Sequence, residues 1–206
     1  MYVNSIFQTP LFFGELPGIS DKLMLEDFIK KCMKEEHRDF KFSTIQRGTG
    51  TNVPTQTGNI VEKQEISYLI NGIQFHVNAF AFEVMKYQEK YRAEISALWG
   101  NQQFSGSYLY NHMHYNSVFS GVFYVNEHED FPETVFIRGD VASLSPDIKD
   151  YNPFCQGSFS CNMKKDTLII FPSFLRHEVP INRTEVDRIS ISFNVILRGN
   201  YYNVII

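Results

Sequence analysis

Between Leu25 and Met33 the apolar side chains fall at Leu25, Phe28, Ile29, Cys32 and Met33. This 3.6-residue rhythm predicts an amphipathic helix, with Ser20 as its N-cap and Asp21 in its first turn. Residues 41–62, rich in Thr, Gly, Asn and Gln, read as a long polar connection. A second helical region is expected over 66–95, broken at Asn71-Gly72, with Phe75, Phe80, Phe82, Tyr87 and Tyr91 serving the core. His76 reads there as a helix-surface or hydrogen-bonded core histidine.

Beyond Trp99 the rhythm changes. Short runs rich in β-branched and aromatic residues follow one another: FSGSYLY, SVFSGVFYV, TVFIR, TLIIF, RISISFNVIL and YYNVII. Turn-forming residues separate them, as in an all-β sandwich or barrel. From Arg188 onward polar and apolar residues alternate, so Arg188, Ser190, Ser192 and Asn194 share one face of a strand. Residues 139–165 form a Gly/Ser/Pro/Asp-rich insertion; with 41–62 it is a candidate for closing over a substrate.

Composition sharpens this picture in a few places. At 206 residues and 43% hydrophobic content, the chain suits one domain with one packed core, and 19 Phe and 11 Tyr suit a β-rich one. A net charge of −4 gives no footprint for duplex nucleic acid. Lys30–Lys31 and Lys164–Lys165 read as solvated faces. No apolar run is long enough to span a membrane, and MYVNSIFQTPLFF lacks the charged start and cleavage site of a signal peptide. Cys32, Cys155 and Cys161 read as free thiols in a reducing cytoplasm, where the Asn182-Arg183-Thr184 sequon carries no meaning.

The candidate chemistry begins at NHMHYNSVFSGVFYV. On a strand, His112 and His114 would project side by side, which is half of a metal site. A third histidine, His177, follows the strand TLIIFPS, and eleven residues later come Arg188 and Ser190. Redox-active iron needs protein ligands on one side and open positions on the other, and imidazole suits Fe(II). An arginine inside a barrel is costly unless it meets an anion, and its fork matches a carboxylate. The adjacent Asp187 would point to the opposite face and Glu185 is the other ion-pair candidate. Glu178 reads as a solvated loop carboxylate and His128, in NEHED, as surface.

HMHYNSVFSGVFYV, LIIFPSFLRHEVPIN and RISISFN, together with the N-terminal IFQTPLFF, resemble the Fe(II)- and 2-oxoglutarate-dependent oxygenases, in particular a bacterial and phage group of them. The resemblance implies a mainly β chain with an N-terminal helical section. Residues 1–98 would support a jelly roll, or double-stranded β-helix, over 99–206, all within one domain of 1–206. It implies Fe(II) as cofactor and 2-oxoglutarate as co-substrate. His112 and His177 would be iron ligands, with the residue two after the first histidine as the third. Arg188 would pair with the distal carboxylate of 2-oxoglutarate, assisted by Ser190 and touched by Tyr124; Asn194 receives no role.

Most of that superfamily has a carboxylate where this chain has His114. Three ligand sets follow: all three histidines; His114 and His177 alone, as in the aspartyl/asparaginyl β-hydroxylase branch; or a loop acid, Glu127 or Asp130, completing the set. Two rival functions stand beside the oxygenase: a cupin-type metal protein without 2-oxoglutarate, and a catalytically silent jelly roll serving as a binding or assembly module. The expected partner is a substrate, a protein side chain or small molecule, and self-association as a homodimer stays open.

Overall fold

The computed structural model describes residues 8–39, 54–139, 147, 149–150, 155–201 and 204–205. In chain order the elements are β1 (Phe12–Glu15), α1 (Ile19–Lys22), α2 (Leu25–Asp39), β2 (Thr55–Gln56) and α3 (Ser67–Asn78). Then come β3 (Arg92–Gln103), β4 (Leu109–His112), β5 (Phe119–Tyr124), β6 (Thr134–Ile137) and β7 (Ser158–Cys161). The chain continues through β8 (Thr167–Pro172), β9 (Arg176–Val179) and β10 (Arg188–Arg198) to a two-stranded hairpin, β11 (Asn200–Tyr201) and β12 (Val204–Ile205).

Two antiparallel sheets make the jelly roll expected from the sequence. The larger runs β1-β8-β5-β10-β3-β2 and the smaller β4-β9-β6-β7. One face of the larger sheet packs against the helices: Leu98, Phe123, Ile191, Phe193 and Val195 meet Leu25, Ile29, Leu69, Ile73 and Phe80. Its other face meets the smaller sheet through Tyr124, Phe136, Cys161, Ile169 and Phe171. Strands β10 and β5 therefore have two buried faces, one greasy and one partly polar, and the polar one becomes the functional cleft.

The helical expectations hold in part. Leu25, Ile29, Cys32 and Met33 are buried as their spacing requires. Ser20, however, belongs to the separate turn α1, and Met24 at φ 47° breaks the chain between α1 and α2. The backbone N–H groups of Gly18 and Ser20 donate instead to the two carboxylate oxygens of Asp166, each at 2.9 Å. Asn71-Gly72 does not break α3. A Cβ at Gly72 would lie 2.8 Å from Leu16 Cδ2, so glycine there admits the close approach of Leu16. His76 bonds the carbonyl of Glu15 through Nε2 at 3.2 Å and packs on Phe12 and Phe75.

The largest correction falls at the end of that helical stretch. Helix continues from α3 through a wider π turn, Ala79–Val84, and Arg92 already begins the long strand β3. Its ladder with β10 slips once: Asn194 faces Ala97 and Val195 faces Ile95, leaving Ser96 as the extra residue of a β-bulge. Ala93 and Ile95 are buried before the bulge and Leu98 after it, so the period-two signal reverses midway and cancels. The 139–165 insertion likewise contains β7. The remainder of that insertion, 140–146, 148 and 151–154, and the 41–53 part of the polar connection lie outside the described residues. Among the described residues no helix is long and apolar enough to cross a membrane.

Candidate metal centre and anion pocket

His112 and His177 face each other across β4 and β9 as register partners, with ring centroids 4.2 Å apart. His114 is not on the strand with His112. It lies just past β4, where its backbone N–H donates to the carbonyl of Ser173 at 3.0 Å. Its ring stacks parallel to that of His177, 5.2 Å away with 4° between planes, and the ring of Trp99 packs on it at a tilt, with centroids 5.8 Å apart. One ligand atom from each of the three histidines lies within 4.8 Å of the others.

The backbone sets the tautomers. His112 Nδ1 faces the carbonyl of Tyr110 at 2.7 Å, and His177 Nδ1 faces that of Leu175 at 3.0 Å. Opposite a carbonyl oxygen only a protonated nitrogen is favourable, so each Nδ1–H donates and each Nε2 keeps its lone pair for a metal. Phe171 and Phe136 pack on the His177 ring, which is only 3% exposed. Burial, then the His112 charge beside it, pulls the His177 pKa down to about 3, while the Leu175 carbonyl works the other way. Burial, then His112, pulls His114 down to about 4. His114 and His177 are thus held neutral at physiological pH, and a cluster of three imidazole donors fits a divalent transition metal.

A stability consequence follows for the metal-free protein. The unfolded chain takes up protons near the ordinary histidine value of about 6.5, whereas the buried rings resist them. The contribution is complete above about pH 6.5 and is lost as pH falls toward 4 and then 3. For His177 the loss between pH 7 and pH 5 should be about 2 kcal/mol. Urea unfolding should show a steeper pH dependence for the wild type than for His177→Gln; parallel profiles would refute the neutral buried imidazole.

At the other end of the same cleft stands Arg188, the first residue of β10 and only 5% exposed. Its Nη1 reaches Gln103 Oε1 at 3.5 Å, its Nη2 reaches Thr134 Oγ1 at 3.4 Å, and its guanidinium lies 5.2 Å over the Tyr124 ring. These contacts are long and neutral. Among the described residues Arg188 forms no ion pair; its neighbour Asp187 accepts from Gln102 Nε2 at 2.6 Å instead. Burial pulls the Arg188 pKa below its ordinary value. A buried cation without an anion is a costly arrangement that a bound carboxylate relieves. Ser190, also buried, lines the cleft beside it.

The cleft and the solvent space at its open mouth together span about 520 Å³. Tyr124 stands behind its wall, with its hydroxyl 2.7 Å from Thr134 Oγ1, so it braces Thr134 and Arg188 from outside. Glu127 and Asp130 are exposed; Glu127 accepts from the backbone N–H of Lys165, and neither belongs to the histidine cluster. His128 is exposed as expected, and Glu178 is half-buried on β9. Asn194 acquires a place: its Oδ1 accepts from Ser120 Oγ, which meets Ser173 Oγ at 2.8 Å, and the Ser173 carbonyl holds His114. Trp99, Asn101, Gln103 and Gln56 also line the cleft, and all four escaped sequence reading. The first three were hidden with β3; Thr134 had only its place at the start of TVFIR to recommend it.

Residues 97–194 match the family model described as "Putative 2OG-Fe(II) oxygenase". No curated protein matches the chain. Among solved structures, the chain is similar to a prolyl-4-hydroxylase of Pseudomonas putida at 12% identity and TM-score 0.56, covering 92% of this chain and 93% of that one. HygX of Streptomyces hygroscopicus, crystallised with nickel and 2-oxoglutarate, gives 11% identity and TM-score 0.54, covering 91% and 82%. SnoK, an alpha-ketoglutarate-dependent carbocyclase from nogalamycin biosynthesis, gives 7% identity and TM-score 0.62, covering 91% and 79%. At such identities the likeness is one of fold. Over 97–194, the stretch that carries the three histidines, Arg188 and Ser190, this chain matches the 2OG-Fe(II) oxygenases, and its fold is theirs.

Proposed function

We propose that the chain is an Fe(II)- and 2-oxoglutarate-dependent oxygenase in which His112, His114 and His177 hold the iron and Arg188 and Ser190 receive the distal carboxylate of 2-oxoglutarate. The observation that carries this reading is the buried Arg188, without an acidic partner among the described residues, in the same cleft as the three clustered histidines. When bound, iron and the keto acid would let dioxygen drive oxidative decarboxylation of 2-oxoglutarate to succinate and carbon dioxide, one oxygen atom entering succinate and the other a substrate C–H bond.

The protein's own share is binding and orientation. Tyr110 and Leu175 carbonyls fix the ring nitrogens of His112 and His177, and Ser173 holds the backbone of His114. Thr134 and Gln103 hold the guanidinium without neutralising it, and Tyr124 braces Thr134. A cupin without 2-oxoglutarate would need the histidines but would leave Arg188 an unrelieved buried charge.

The test is ligand linkage. At about one hundred times its dissociation constant, 2-oxoglutarate should stabilise the metal-loaded protein by roughly 2.7 kcal/mol, read as a rise in Tm. Succinate, lacking the chelating keto group, should give a smaller rise. Arg188→Ala should remove most of the response with metal content intact, and Arg188→Lys should keep only part, because an ammonium cannot make the two-pronged contact. Absence of any 2-oxoglutarate-dependent shift in the loaded wild type, together with no conversion of 2-oxoglutarate to succinate, would sink the oxygenase reading.

A further inference from the structure

Leu109, Val122 and Val179 line the cleft together with Arg188 and the histidines and offer no side-chain donor. Three hydroxyls also line it: Thr134, which meets Arg188, and on β10 Ser190 beside the arginine and Ser192 further along. Ser192 is four residues from Arg188 on the same face of β10, about 13 Å along the strand. Its register partners are Trp99 on β3 and Val122 on β5, and the Trp99 ring packs against His114. Ser192 therefore stands at the histidine end of the cleft.

Its hydroxyl is not free to turn. Asn101 Nδ2 donates to Ser192 Oγ at 2.9 Å, while Asn101 Oδ1 accepts from Gln56 Nε2 at 2.8 Å. Asn101 is itself buried. With an Oγ lone pair engaged in this way, the hydroxyl proton is left to donate, and among the described residues Ser192 Oγ has no acceptor. A fixed donor facing a cleft that offers it no oxygen calls for an oxygen supplied by the ligand.

We propose that Ser192 donates to the keto-acid end of 2-oxoglutarate, and that Asn101 and Gln56 are positioning residues that fix the direction of this donation. The inference rests on the oxygenase reading and gives the co-substrate a second anchor opposite Arg188. Succinate has no keto oxygen and so offers Ser192 less to hold.

The experiment titrates 2-oxoglutarate and succinate separately into Zn(II)-loaded protein, which cannot turn over. Binding is read by calorimetry and by the fluorescence of Trp99, the only tryptophan of the chain. Ser192→Ala should weaken 2-oxoglutarate about tenfold, the scale of one hydrogen bond to a charged group. Succinate affinity should change by less than about twofold, within the error of a contact never made. Ser192→Thr, which keeps the hydroxyl, should bind 2-oxoglutarate like the wild type. Asn101→Ala should cost about threefold, since the hydroxyl remains but loses its orientation. Unchanged 2-oxoglutarate affinity in Ser192→Ala, or an equal loss for succinate, overturns the assignment while leaving the oxygenase reading intact. Failure of the wild type to bind 2-oxoglutarate brings down that reading, and this inference with it.

Discussion

Alanine in place of His177 should abolish metal binding. Losing an outer-shell partner of a metal ligand typically costs 10–100-fold in affinity, so removal of a ligand whose Nε2 is held ready by the Leu175 carbonyl should cost more than roughly 100-fold. The neighbouring Phe171 and Phe136 rings cannot substitute as donors. Elemental analysis after Fe(II), Zn(II) or Ni(II) loading should show about one equivalent in the wild type and almost none in the variant. Normal metal content in His177→Ala would rule out the proposed centre. His112→Ala and His114→Ala then separate the ligand sets: loss in both means three histidines, and loss in only one means a smaller set.

Gly121→Ala should be the most damaging small substitution in the larger sheet. Gly121 sits on β5 directly opposite Phe193 of β10. A Cβ there would lie 2.2 Å from Phe193 Cζ and 2.6 Å from the backbone oxygen of Ile169 on β8. The Phe193 ring is fully buried and the Ile169 carbonyl belongs to the paired strand, so neither can move cheaply. Overpacking of this kind costs typically 1–3 kcal/mol, and the backbone contact should push this case to about 3 kcal/mol or beyond. The measurement is the midpoint of urea unfolding. Phe193→Leu should rescue part of the loss in a double variant, because the two sites are in contact. An unchanged midpoint in Gly121→Ala would contradict the packing described.

Much of this architecture was legible because the determinants are local. In β10 the alternation of Ile189, Ile191, Phe193 and Val195 with Arg188, Ser190 and Ser192 separates the greasy face from the cleft face, as an alternating sequence must. The three histidines could be named from sequence, but their geometry could not. His114 reaches the site because Ser173, fifty-nine positions later in sequence, holds its backbone, not because it shares a strand with His112. The start of α1 was misread for a related reason, since its capping carboxylate comes from Asp166 on a distant turn. The same holds for Gln56, Asn101 and Thr134, which become functional candidates only when two sheets bring them to Ser192 and Arg188. A hydrogen bond across the fold leaves no trace in the spacing of either residue.

The bulge at Ser96 carries a consequence for how such a cleft changes over generations. Downstream of it, Leu98 and Gly100 face the helices while Trp99, Asn101 and Gln103 line the cleft. Loss of that single codon would set Ile95 and Ala97 side by side opposite Val195 and Asn194, a regular ladder in which Leu98 and Gly100 still face the helices and Trp99, Asn101 and Gln103 still face the cleft. A lineage could thus lose or regain this residue in a single mutational event and keep the same wall to its cleft. Divergence at this position would appear between relatives as a one-residue gap across which the lining residues keep their faces, and an alignment that closed the gap would assign one side of the strand to the wrong face.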